Sequence, residues 1–249
     1  MPLHQKPSFA LPSDHLGSLK SIEQGYWWFT ARTHWVKNFI YRWLFAHPTQ
    51  TLDYVDLGCG SGGLGTEIIN EFTPRKKLLV DGDPEALALV SPSLPTLRVD
   101  LNRDFELPWQ PNLITCMDVL EHIEEDQHFI DRIRDQLVPD GLLILSVPAH
   151  PWLYSKWDRS LGHYRRYTRK EMKAKLYKSG LLLIQARFMW SFLVPMGLFR
   201  NISRSSTEFP KVPRFVNKAL IHLSRWEWRL PSKLQVPFGT SLMVAATRR

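Results

Sequence analysis

Apolar positions follow two rhythms along this chain. Short runs at Leu52 to Leu57, Lys77 to Val80, Thr96 to Val99, Leu113 to Met117, Leu142 to Val147, Leu181 to Arg187 and Ser241 to Thr247 predict strands, the first of them a buried parallel strand. Between them, apolar residues recur every three or four positions. Leu64, Ile68, Ile69 and Phe72 fall on one face of a helix over Leu64 to Phe72. Further helices are expected after the Asp83-Pro84 cap, over about Gln127 to Leu137, and from the Thr168/Glu171 capping box to Ser179, where Gly180 ends the element. This alternation predicts an α/β domain with helices on both faces of a sheet.

Two segments fall outside that alternation. Ile22 to Phe45 is crowded with aromatic residues and predicts a helical segment. About fifty residues separate the last two strands. In that interval Phe188 to Phe199 is strongly apolar. Lys211 to Leu230 mixes Phe215, Val216, Leu220, Leu223, Trp226 and Trp228 with Lys211, Arg214, Lys218, Arg225 and Arg229, as a basic amphipathic helix does. The expected organisation is one domain: a loose arm at 1–20, a helical segment at 21–47, a core at 48–187, a helical insertion or lid at 188–236 and the last strand at 237–249. A chain of 249 residues with 44% hydrophobic content is long enough for one sizeable core. No apolar run reaches the ~18 residues that span a bilayer. Cys59 and Cys116 are the only cysteines and lack C-x-x-C spacing, which fits a reducing, cytoplasmic setting.

The stretch Tyr54-Val-Asp-Leu-Gly-Cys-Gly-Ser-Gly-Gly63 carries the clearest chemistry. A strand that turns through glycines into a helix leaves backbone N–H groups unpaired and lets a ligand approach the main chain. Gly58, Gly60 and Gly63 also fit the G-x-G-x-x-G spacing of a dinucleotide site, and a tight turn without a ligand is the bland alternative. Asp56 can reach a cationic amino group and would repel a pyrophosphate. Asp81, at the end of the second strand, can accept from both hydroxyls of a ribose and so serves either nucleoside cofactor.

Four motifs in series resemble the class I S-adenosylmethionine-dependent methyltransferases: Val55 to Gly63, Asp81-Gly-Asp-Pro-Glu-Ala-Leu87, Met117-Asp-Val-Leu-Glu-His-Ile123 and Leu137 to Pro148. Asp140 departs from the glycine usual there. The resemblance implies a Rossmann-like, seven-stranded sheet whose last strand runs antiparallel, with S-adenosylmethionine as cofactor. It places Gly58, Cys59, Gly60 and Gly62 at the backbone turn, Asp56 at the amino end, Asp81 and Gly82 at the ribose, and Asp100 and Leu101 at the adenine. Met117 and Asp118 close the cofactor side. Cys59 reads as a small residue filling the turn rather than as a nucleophile.

Asp118, Glu121 and His122 leave the fourth strand together, and His163 follows the fifth. This grouping resembles the acidic-histidine motif of metal-dependent small-RNA 2′-O-methyltransferases and of ubiquinone-pathway O-methyltransferases. It leaves open a divalent metal on Asp118, Glu121, His122 and His163, a direct base role for His122 or His163, and a purely structural role. Glu124, Glu125 and Asp126 read as favourable charge at a helix start. Glu23, Tyr26 to Phe29, Ala31 and Arg32, with Ala149 to Ser155, Asp158 and His163 to Thr168, resemble a bacterial group associated with glycan and lipid modification. That resemblance implies Trp28, Arg32, Asp158, Tyr164, Arg165 and Arg166 as acceptor-binding residues, with the arginine pair suited to a phosphate.

Charge sharpens this picture. Residues 1–150 hold 12 Lys+Arg against 20 Asp+Glu, whereas residues 151–249 hold 20 against 4, a local net charge of +16. Such a field attracts phosphorylated substrates, anionic lipid surfaces or nucleic acid. The combined expectation is O-methylation of an anionic, glycan- or lipid-linked or small hydroxyl acceptor, with possible peripheral contact at the inner membrane face. An RNA methyltransferase, a non-catalytic S-adenosylmethionine-binding module and an NAD-dependent oxidoreductase are the alternatives. The last lacks a second nucleotide-binding half after residue 118.

Overall fold

The computed structural model describes Glu23, residues 25–195, residues 212–231 and residues 235–249. The expected arm at 1–20 and much of the expected insertion lie outside the described residues. Seven strands form one sheet: β1 (Asp53–Leu57), β2 (Lys76–Asp81), β3 (Thr96–Arg98), β4 (Leu113–Met117), β5 (Leu142–Pro148), β6 (Leu181–Met189) and β7 (Ser241–Arg248). Their order is β3-β2-β1-β4-β5-β7-β6. Strands β1 to β5 pair in parallel, and β7 runs antiparallel to both neighbours. β1 has β2 on one side and β4 on the other. The chain therefore switches direction across the sheet there, where open α/β sheets form a ligand crevice at the carboxyl ends.

Every residue of β1, β4 and β5 is buried, which is why these strands are mostly apolar; the two aspartates of β1, Asp53 and Asp56, accept from Arg75 and Thr115. Helix α1 (Trp27–Ala46) crosses one face, and α2 (Gly63–Phe72), the short α3 (Pro84–Leu87), α4 (Asp126–Gln136), α5 (Lys156–Ser160), α6 (Arg169–Lys178) and α7 (Arg214–Arg229) follow in chain order. Phe129, Ile130 and Ile133 of α4 join Met172 and Leu176 of α6 in the core on one side. Trp35, Phe39 and Trp43 of α1, Ile68 and Ile69 of α2 and Trp228 of α7 build the other. Trp35 and Phe39 meet Trp228 at ring centroids 5.0 and 5.1 Å apart, so these two aromatics of the N-terminal segment hold α1 against α7.

The capping box at α6 forms as expected, with Thr168 N–H donating to Glu171 Oε2 at 2.8 Å and Glu171 N–H to Thr168 Oγ1 at 3.1 Å. Asp126 does more than charge a helix start. Its carboxylate accepts from Tyr167 (2.9 Å) and Lys175 (2.7 Å) and pairs with Arg165, tying α4 to α6 and to the loop before it. Glu227 of α7 accepts from the backbone N–H groups of Trp190 and Ser191 at 2.7 and 2.8 Å, which seats α7 against the end of β6. Among the described residues no helix is long and apolar enough to cross a membrane.

Candidate active site

A cavity of about 580 Å³ opens over the carboxyl ends of β1, β2 and β4. Its floor is the glycine turn. Gly58 has φ +71°, and a Cβ there would sit 2.3 Å from Val119 Cγ2, so only glycine lets the β4 loop pack so closely. Gly60 has φ +56° with open space beyond it, on the cavity wall, and its N–H donates to Asp81 Oδ2 at 2.8 Å. Asp81 also accepts from the N–H of Asp83, and burial raises its pKa. Cys59 lines the turn with its thiol pushed far up by burial, which removes it as a nucleophile.

Several expected cofactor residues sit differently. Asp56 is 2% exposed and lies beneath the turn instead of on the cavity wall; its Oδ1 accepts from Thr115 Oγ1 at 2.6 Å. Gly62 faces Val90 and Leu79 and starts α2, so its freedom serves packing. Gly82 is buried and its carbonyl accepts from Arg98. Asp100 ties its own loop through Asn102 N–H and Arg103, and the cavity wall takes Leu101 in its place. Met117 and Asp118 line the cavity as expected.

Burial carries the Asp56 pKa from 3.8 up to about 7. The folded chain therefore holds a proton that the unfolded chain has released, and stability falls as pH rises between about 4 and about 7. Asp56→Asn is expected to remove that slope and to stabilise the cofactor-free protein at pH 8 by on the order of 2–4 kcal/mol. Urea unfolding of both proteins at pH 5 and pH 8 checks this; an identical difference at the two pH values contradicts it.

On the far side of the turn, Asp118 has φ +55° and directs its carboxylate to Arg32 Nη1 (2.6 Å) and Ser146 Oγ (2.8 Å). Asp118 is thus occupied and drops out of the expected metal set. Glu121, His122 and His163 remain together, each with a potential ligand atom within 4.8 Å of the others. Glu121 is 1% exposed, its Oε2 has no partner, and burial raises its pKa well above the usual carboxylate range. His122 Nδ1 is also unpartnered, and burial followed by the neighbouring His163 lowers its pKa to about 4. The two imidazoles meet edge to face at 4.7 Å.

Asp158 is fully buried and does not line the cavity. It accepts from His163 Nδ1 (3.0 Å), from Arg166 Nε and Nη2 (2.8 and 3.0 Å), and from Ser155 N–H and Oγ in a capping box at the start of α5. Burial opposes its charge, but the bonds from His163 and Arg166 hold its pKa well below the usual range. The arginine pair does not converge on a phosphate. Arg166 lines the cavity while pinned to Asp158, and Arg165 turns away to Glu124 O and Asp126. Tyr164 is 45% exposed outside the cavity, though its N–H donates to Glu121 O at 2.8 Å. Trp28 and Arg32 do line the cavity, with Trp28 lying on Trp190 at 3.6 Å between ring centroids.

Residues that the sequence left unassigned complete the enclosure. Glu23 accepts from Ser61 Oγ and closes the turn from above. Leu153, Trp157, Leu161, Leu193, Val212, Val216 and Leu220 supply much of the apolar lining of the same cavity. The apolar spacing of Val216 and Leu220 signalled a helix face, but nothing local identified it as the face turned to the cavity.

The chain matches a methyltransferase-domain family over residues 22–203. It is 31% identical over 106 residues to the mitochondrial ubiquinone biosynthesis O-methyltransferase of Schizosaccharomyces pombe, a match covering 37% of this chain and 36% of that protein. The shared stretch is thus about a third of that relative's length. Among solved structures, the chain resembles one from the complex between the Haloferax volcanii Trm112 methyltransferase activator and a methyltransferase, with TM-score 0.62, 17% identity and 94% of each chain covered. Magnesium protoporphyrin IX methyltransferase of Synechocystis PCC 6803, solved with S-adenosylhomocysteine, gives TM-score 0.52 at 16% identity, covering 89% of this chain and 85% of that one.

Proposed function

The chain belongs to the class I S-adenosylmethionine-dependent methyltransferases, and from that premise we propose that it methylates a hydroxyl oxygen on an acceptor with an apolar body, lipid-linked or small. The observation that carries this reading is the continuity of one cavity from the glycine turn, past Glu121, His122 and His163, to the apolar wall of Leu153, Leu193, Val216 and Leu220. Because both arginines of the pair are already engaged, the apolar wall describes the acceptor better than a phosphate does.

When bound, S-adenosylmethionine supplies a methyl group already activated by its sulfonium, so the protein must align the acceptor oxygen, exclude water and remove a proton. Asp81 would accept from the ribose hydroxyls, Gly60 would let the cofactor approach the main chain, and Leu101 would meet the adenine. As the acceptor oxygen is methylated, the His122 imidazole takes its hydroxyl proton. With a pKa of about 4, His122 is neutral and ready as a base at pH 7. Asp158 fixes the ring of His163 beside it.

A second reading is favoured by the two buried atoms without partners, Glu121 Oε2 and His122 Nδ1. Glu121, His122 and His163 have the donor chemistry to hold a divalent cation, which would supply charge that lowers the pKa of a nearby hydroxyl. Transfer of labelled methyl from S-adenosylmethionine into fractionated lipid, glycan, RNA and small-molecule pools tests both readings. Label is expected in the lipid or apolar small-molecule pool. Label confined to RNA contradicts the proposed acceptor. Loss of transfer with a chelator, restored by a divalent ion, supports the metal; indifference leaves His122 as the base.

A further inference from the structure

Helix α7 has two working faces, and methyl transfer uses only the inner one. At about 100° per residue, Phe215, Ala219, Leu223 and Trp226 gather on the outer side of the helix. Phe215 is 76% exposed and Trp226 61% exposed, whereas Val216 and Leu220 on the inner side line the cavity. Lys218, Arg225 and Arg229 are exposed beside the apolar stripe. Glu227, the only acid of the helix, is buried on the backbone of Trp190 and Ser191. Among the described residues, none of those three cations has an ion-pair partner.

A partner for this face must bury an aromatic and aliphatic stripe while neutralising the cations beside it. A second copy docking by two-fold symmetry would bring cations toward cations. Nucleic acid would neutralise the charge but offers less to an aliphatic and aromatic stripe. An anionic lipid surface meets both demands, because apolar side chains enter the boundary between headgroups and acyl chains while cations stay at the phosphates. The net charge of +16 over residues 151–249 acts in the same direction. We propose that α7 docks this protein on an anionic membrane, with Phe215 and Trp226 inserted and Lys218, Arg225 and Arg229 on the headgroups. The docking itself is independent of the acceptor. If the acceptor is lipid-linked, which rests on the proposed function, docking sets the cavity wall of Val216 and Leu220 beside the bilayer.

Flotation of the full chain with vesicles tests this, using pure phosphatidylcholine and an equimolar mixture of phosphatidylcholine and phosphatidylglycerol. The protein is expected to float with the mixed vesicles and to remain behind with the neutral ones. Phe215→Ser with Trp226→Ser should weaken partitioning by at least about ten-fold. Lys218→Glu with Arg229→Glu, on the exposed surface, should weaken it by at least about 25-fold, roughly five-fold per cation lost. Both variants should bind S-adenosylhomocysteine calorimetrically like the parent, which separates loss of docking from loss of fold or cofactor site. No flotation of the parent with anionic vesicles overturns the proposal, as does unchanged flotation of both variants. Salt-sensitive RNA binding without flotation assigns the face to nucleic acid instead. A dimer abolished by the same substitutions, without flotation, assigns it to a second copy.

Discussion

His122→Ala is expected to lower methyl transfer by about a hundred- to ten-thousand-fold, the range that a positioned proton acceptor contributes. The expectation rests on place. His122 lines the cavity beside Glu121 and His163, and its lowered pKa keeps the ring neutral at working pH. Removing the ring leaves the glycine turn and Asp81 untouched, so affinity for S-adenosylhomocysteine should hold within a few-fold. Single-turnover transfer with the acceptor identified by labelling gives the rate, and calorimetry gives the affinity. A variant with near-parental turnover would show that His122 takes no part in proton removal.

Asp158→Ala should have the largest effect on stability. The carboxylate is fully buried and engages His163, Arg166 and the start of α5 together. Deleting one partner of a buried pair leaves the other charge uncompensated, at a cost of about 3–5 kcal/mol. Transfer should fall as well, because His163 loses the acceptor that orients it. Because the Asp158 pKa is lowered on folding, its contribution is present above the unfolded carboxylate range and is lost as pH falls toward the folded value. Urea midpoints at pH 7 measure the cost. Loss of less than about 1 kcal/mol would show that the network is dispensable.

The sheet was legible because burial on both faces makes β4 and β5 almost wholly apolar, and the same apolar character shows in Tyr54, Val55 and Leu57 of β1. The glycine turn was legible for a related reason: Gly58 and Gly60 adopt backbone angles that other residues resist. Long-range partners were not legible. Asp56 sits under the turn because Thr115, 59 residues later, donates to it, and Asp118 leaves the candidate metal set because Arg32 lies 86 residues earlier. Arg165 and Arg166 diverge because each has its own carboxylate, Asp126 for Arg165 and Asp158 for Arg166. Asp158 did carry a local signal, since Ser155 three residues earlier forms a capping-box pattern that competes with an acceptor role. The amphipathic character of α7 was visible in its sequence, but which side faces the cavity depends on Trp228 meeting Trp35 and Phe39.

The central claim is that the cofactor lies on the Gly58 to Ser61 turn with its sugar held by Asp81. Titration calorimetry of S-adenosylhomocysteine into the parent protein and into Asp81→Ala tests it most directly. Saturable binding by the parent, weakened at least about ten-fold in the variant, is the predicted result. Equal affinity in the two proteins, or no heat with the parent at all, would contradict it.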